Sequence, residues 1–202
     1  MNPLKLQLDR ILLACNRIIR NTSNWRAHEA YLQGIGVLVD CLPEDDIHAT
    51  FVPLLKEESL TARAIPCRLA AVSGLLRIVR STASGYRQRA VVDFFTEAVM
   101  KHPSCHKRML YLDAVAIARD VFSGDFFKEH FLTHALELAA DKVANVRIRL
   151  RRLLPKLKES LTLPNDAALL AKLEGVIKWH LALEDSAYGK QSVQEVRVLC
   201  DI

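Results

Sequence analysis

Hydrophobic residues recur along most of this chain in clusters about four positions apart. Between Arg87 and Lys101, Ala90, Val91, Phe94, Phe95, Ala98 and Val99 fall at i, i+1, i+4, i+5, i+8 and i+9. A helix with 3.6 residues per turn gathers such positions on one face. After Gly124, Phe127, Phe131, Ala135 and Leu138 repeat the pattern. No stretch shows the period-2 alternation of a half-buried strand, so the pattern predicts an all-α chain.

Breakers separate the helical stretches at a regular beat. They are Asn21-Thr22-Ser23-Asn24, Pro43-Glu44-Asp45-Asp46, Glu58-Ser59, Ser81 to Gly85, His102-Pro103-Ser104, Ser123-Gly124, Asp141 to Asn145, Leu163-Pro164-Asn165-Asp166 and Asp185-Ser186. The result is about ten helices in five pairs, 3–20 with 24–42, 45–57 with 60–80, 85–101 with 104–121, 125–140 with 143–161 and 166–183 with 187–200. Units of about 40 residues built from two helices are the mark of HEAT or armadillo repeats. The expected fold is a right-handed α-solenoid of about five HEAT-type helical hairpins, forming one domain over residues 1–202 with repeats 3–42, 45–80, 85–121, 125–161 and 166–200.

Arg26, Arg63, Arg108 and Arg147 each fall near the start of a second helix, with spacings of 37, 45 and 39. A lone hairpin cannot cover both its apolar faces, so the next hairpin must stack on it. An Asp in one intra-repeat turn can then pair with an Arg at the start of a neighbouring second helix, and Asp141 is placed for that role. Pro53, Pro66 and Pro155 fall inside predicted helices, where they would bend the axis. Gly34, Gly36 and Gly74 are read as points of close helix packing.

Composition narrows the class. Half of the 202 residues are hydrophobic and only 6% aromatic, which predicts an aliphatic core. Net charge is +5, a mild basic bias compatible with an acidic partner. The five cysteines include no CxxC pair, which fits reduced thiols in a cytoplasmic protein. The opening MNPLKLQLDR mixes charge into its apolar stretch, unlike a signal peptide. No apolar run approaches the roughly 18 residues of a membrane span, so no membrane insertion is expected.

The candidates for chemistry are incomplete. His130 and His134 stand at i and i+4, but Phe131 occupies the place where a zinc protease needs Glu. His102, Cys105 and His106 cluster at a turn without a second set of ligands. Asp45, Asp46 and His48 sit where carboxylates serve a helix N-terminus, and no nucleophile accompanies them. Gly34 and Gly36 follow no strand and open no dinucleotide site. The basic run Arg147, Arg149, Arg151, Arg152, Lys156 and Lys158 lacks aromatic neighbours, which disfavours nucleic acid and suits a solvated face or an acidic protein contact. No catalytic residue, cofactor or metal is expected. Trp25, where a turn enters the second helix, reads either as a core plug or as an interface anchor.

The segments SNWRAHEAYL (23–32) and FSGDFFKEHFLTHALELAADKVANVRIRLRRLLPKLKESLTLPNDAALLAKLE (122–174), with the repeat beat between them, resemble the HEAT region of the phosphatase 4 regulatory subunit 4 family. More distantly they resemble the scaffold subunit of protein phosphatase 2A. The resemblance implies a non-catalytic scaffold or regulatory module that binds a serine/threonine protein phosphatase catalytic subunit and directs its location or substrates. It also implies a docking ridge made of intra-repeat turns, which here would carry Asn24, Trp25, Arg26, Arg63, Lys107, Arg108, Asn145 and Arg147. Members of that family are much longer arrays. Trp25, Arg63, Lys107 and Arg147 also fit the outline of a TOG-type tubulin-binding array, and a generic protein-interaction scaffold is the third reading. A metal-dependent hydroxylase built on such repeats would need His-Glu steps that this sequence lacks.

Overall fold

The computed structural model describes residues 24–39, 41–183 and 187–200, together with the isolated positions 10, 13, 14 and 17. Apart from those positions, the predicted helix over 3–20 lies outside the described residues, as does the Asp185-Ser186 break. Among the described residues there are nine longer helices and no strand. We number them α1 (Trp25–Leu38), α2 (44–61), α3 (Ile65–Ser81), α4 (85–100), α5 (Cys105–Val121), α6 (124–140), α7 (Ala144–Lys158), α8 (Ala167–Leu183) and α9 (Ala187–Leu199). The fold is an all-α helical-repeat solenoid, as the hydrophobic pattern predicts. Its contacts group into two units, Met1–Arg87 and Gln88–Ile202.

In the first unit, α3 packs against both α1 and α2. Asn24 starts α1 because its side-chain oxygen accepts the Arg26 and Ala27 N–H groups at 3.1 and 3.4 Å. Those donors have no partner within the helix, and an Asn cap satisfies them. The core consists of Leu32, Ile35, Phe51, Leu55, Ala71, Leu75, Leu76 and Ile78. Gly36 and Gly74 set the approach of α1 to α3. A Cβ on Gly36 would lie 3.9 Å from the Gly74 Cα, and one on Gly74 would lie 3.1 Å from a Leu55 methyl. Gly34, expected to pack in the same way, has open space around it.

In the second unit, α5 packs on α4 and α7, and α7 also contacts α8 and α9. The core here is not purely aliphatic. Phe131 stands between Phe95, Phe122 and Phe127, with ring centroids 6.2, 5.7 and 6.5 Å away. Tyr111 is buried beside them and donates its hydroxyl to the Phe131 carbonyl at 3.3 Å. Burial pushes that phenol far above its ordinary pKa, so it serves as a neutral donor. The low aromatic content thus conceals a local concentration.

Three first helices share a departure from the regular α-helix. A wide i→i+5 turn occupies Ile47–Phe51 in α2, Phe94–Met100 in α4 and Lys128–Leu132 in α6. The buried positions explain it. They are Ile47, Phe51, Leu55 and Ser59 in α2, then Val91, Phe95 and Val99 in α4, then Phe127, Phe131, Ala135 and Ala139 in α6. A strict spacing of four drifts around a 3.6-residue helix, and a wider turn takes up the drift and keeps the stripe facing inward. In α6 the Thr133 hydroxyl donates to the Lys128 carbonyl at 3.1 Å across the turn.

The prolines divide between two roles. Pro66 lies in the first turn of α3, which begins at Ile65 and not near residue 60, so its missing N–H costs no helical bond. Pro53 follows directly on the wide turn of α2, at the start of its second α-helical part. Pro155 remains inside α7.

Candidate docking edge and its opposite face

The intra-hairpin turns of the first unit bring Asn24, Trp25, Arg26 and Arg63 to the surface. Trp25 is 39% exposed and is not a core plug. The Arg26 guanidinium sits 4.6 Å from its ring centroid, a cation–π contact that holds the indole outward. The Trp25 carbonyl accepts the Cys67 thiol at 3.3 Å, which ties the start of α1 to the start of α3. Burial raises that thiol's pKa and keeps it protonated as a donor. Arg63 is exposed, and Ile65 beside it is 60% exposed. Trp25, Arg26, Arg63 and Ile65 are thus exposed at the starts of α1 and α3, one aromatic, one aliphatic and two cations.

The corresponding turns of the second unit hold Lys107, Arg108, Asn145 and Arg147, and their chemistry differs. Arg108 is only 7% exposed. Its Nε and Nη2 bind the two Asp141 carboxylate oxygens at 2.5 and 2.9 Å, and its Nη1 donates to the His102 and Pro103 carbonyls at 2.9 and 2.7 Å. Asp141 also accepts the Val143 N–H at 2.8 Å. Burial alone would raise this carboxyl's pKa, but the bonds from Arg108 and Val143 outweigh it and hold the group below its ordinary value. This is the Asp–Arg rung between neighbouring hairpins that the arginine spacing suggested. Arg147 donates to the Asp141 carbonyl at 2.9 Å. Asn145 is exposed and Lys107 half-buried.

The opposite, inter-hairpin ends are joined by further ion pairs inside each unit. In the first unit, Glu44 accepts the Ala83 N–H at 2.9 Å and the Arg87 guanidinium at 3.2 Å, while Asp45 pairs with Arg87 at 2.6 Å. The Ala83 bond, with help from Arg87, lowers the Glu44 pKa. His48, close in sequence to Asp45 and Asp46, bonds the buried Thr82 hydroxyl at 2.8 Å. In the second unit, Lys128 reaches both Asp166 oxygens at 3.0 Å, and Asp166 caps the Thr162 N–H at 2.7 Å. The Thr162 bond, seconded by Lys128, lowers the Asp166 pKa.

The remaining candidates resolve into local contacts. His130 packs at a tilt against Phe126 with centroids 4.3 Å apart, and His134 contacts Glu137 at 3.1 Å. His102 Nδ1 accepts the Ser104 N–H at 2.9 Å. Among the described residues, no three or more His, Cys, Asp or Glu side chains stand together as a metal-binding set. Among the same residues, no helix is long and apolar enough to cross a membrane. The basic run on α7 is not a uniformly solvated face. Arg151 is 1% exposed, Arg149 pairs with Asp113 on α5, and Lys158 donates to the Cys200 carbonyl. What the run's spacing did not reveal is that Arg149 and Lys158 tie α7 to its neighbours and that Arg151 is buried.

Fold and edges define a helical-hairpin repeat protein whose turns, not its interior, present the distinctive chemistry. The comparisons with known proteins narrow this. The chain is 32% identical over 160 residues to serine/threonine-protein phosphatase 4 regulatory subunit 4 of Homo sapiens, and 31% identical over the same length to that of Mus musculus. The matched stretch is 79% of this chain and 18% of each relative, so the chain spans less than a fifth of the curated proteins it matches. No family model matches the sequence.

Proposed function

We propose that this chain is a non-catalytic HEAT-repeat regulatory module that binds a serine/threonine phosphatase catalytic subunit and directs its location or substrates. The observation that carries the reading is the 160-residue likeness to phosphatase 4 regulatory subunits. The geometry supports it in one respect. Trp25, Arg26 and Arg63 are exposed, and Trp25 is an aromatic of the kind that dominates binding energy at interfaces. In the second unit, Lys107 and Asn145 offer polar contact on a frame stiffened by Arg108–Asp141. The module acts in the cytoplasm.

Size-exclusion co-migration of the purified chain with phosphatase 4 catalytic subunit tests this. Co-migration is expected at micromolar concentration, and Trp25→Ala is expected to abolish it while leaving the helical circular-dichroism spectrum unchanged. Co-migration that survives Trp25→Ala removes Trp25 from the reading. Absence of co-migration, with binding to tubulin in its place, overturns it.

A further inference from the structure

In the first unit, the joint between the first turns of α2 and the end of α3 holds an imidazole whose bonding fixes the place of its proton. Thr82, 5% exposed, follows α3 and donates its hydroxyl proton to the Ile78 carbonyl at 2.7 Å. A hydroxyl has one proton to give, so in the 2.8 Å contact with His48 Nε2 the Thr82 oxygen accepts. His48 Nε2 therefore carries a proton, and in the neutral ring Nδ1 carries none. The surroundings oppose a second proton. Partial burial disfavours the charged ring, and Arg87 from the start of α4 and Lys56 from α2 repel it. Glu44 and Asp45, from the start of α2, attract it, and from the end of α3 it meets the uncharged Thr82. Both carboxylates are already engaged, Glu44 by the Ala83 N–H and Arg87, and Asp45 by Arg87. Burial first, and Arg87 after it, holds the imidazole below its ordinary value of 6.5.

We propose that His48 makes this joint a pH-sensitive latch, which the neutral ring closes by its bond to Thr82 and a second proton on the ring loosens. A charged imidazole beside Arg87 must either turn to water or draw a carboxylate from that arginine. The first route gives up the Thr82 bond, and the second disturbs the contacts that Glu44 makes with Ala83 and Arg87. The folded ring takes its second proton less readily than the unfolded chain does. Its stabilisation is therefore complete above pH 6.5 and is lost as pH falls through the folded value. That window opens well above the ordinary carboxylate range, near pH 4, so it is separate from the titration of Asp141 in the second unit. The latch lies at an inter-hairpin end, within residues 44–87, and does not depend on the catalytic-subunit reading.

Nuclear magnetic resonance of the whole chain between pH 7.5 and 5.5 tests it. The His48 ring nitrogens are expected to show the Nε2–H tautomer at pH 7.5 and a titration midpoint below 6.5. Amide exchange at Thr82 and Ala83, corrected for its intrinsic pH dependence, is expected to rise several-fold over that range. In His48→Gln the side-chain amide can still donate to Thr82 but does not titrate, and the rise is expected to vanish. Arg87→Gln removes the nearest repelling cation and frees two carboxylates, and is expected to move the His48 midpoint upward. Three results overturn the proposal. They are an Nδ1–H tautomer, a His48 midpoint at or above 6.5, and an equal rise of exchange in the unmodified chain and in His48→Gln. The first two are read without any substitution, so they decide the matter even where His48→Gln fails to fold.

Discussion

The two units solve one packing problem with different materials. The first brings its helices together by subtraction. Gly36 faces Gly74, Leu55 fills the space that a Gly74 side chain would take, and a thiol–carbonyl bond joins the helix starts. The second does so by addition, with three phenylalanine rings around Phe131 and a buried Arg108–Asp141 pair satisfied at nearly every donor. A close backbone approach tolerates no added atoms, whereas a large side-chain cluster tolerates no lost ones. The difference also sorts the surfaces. The first unit leaves the cations of its turn, Arg26 and Arg63, on the outside, while the second draws Arg108 inside as structure.

The sharpest way to break the comparison is to remove atoms from the second unit. Phe131→Ala is expected to cost about 3–5 kcal/mol, read by chemical denaturation, with faster hydrogen exchange confined to 88–200. Arg108→Ala follows closely at about 3–5 kcal/mol, because it leaves the Asp141 carboxylate buried without its cation. This pair also sets a pH dependence. The folded Asp141 pKa lies below its unfolded value, so its stabilisation is present above the ordinary carboxylate range, near pH 4, and is lost as pH falls through the folded value. Urea titrations from pH 6 downward are expected to show a shallower loss of stability in Asp141→Asn than in the unmodified chain. A smaller effect comes from adding atoms to the first unit. Gly74→Leu is expected to cost about 1–3 kcal/mol, with exchange rising in 24–81 alone. Equal responses of both segments to any of these changes would dissolve the distinction.

Much of this was legible in the residues. The all-α class followed from apolar spacing, and six of the breakers, near 43, 81–85, 102–104, 123–124, 141–145 and 163–166, fall at turns between described helices. The Asp–Arg rung was legible as a type of contact, but only Arg108 makes it. The turn before α3 reads Ala62-Arg63-Ala64 and offers Arg26 no acid where Asp141 serves Arg108, so Arg26 stays outside. Burial separated these look-alike arginines, and burial depends on what the neighbouring hairpin supplies. The start of α3 was missed because Glu58-Ser59 reads as a breaker, yet Ser59 is buried and bonds the Lys56 carbonyl at 2.8 Å inside α2. The clustering of aromatics was hidden in an average over the whole chain. The wide turns were present as a spacing of four, which blends into an ordinary amphipathic stripe until one counts its drift.

Those wide turns have a consequence for insertions and deletions. Each amounts to one residue more than a regular helix would use to cover the same rise, held in place because the residues beyond it are out of phase without it. Deleting a single residue within Lys128–Leu132 would restore a regular helix and swing Ala135 and Ala139 away from the interior by about 100°, the angle subtended by one residue. Because every first helix from α2 to α6 carries its own correction, such an error would not propagate along the chain. The phase is reset in each hairpin, so the array can gain or lose residues in one repeat without rewriting the next.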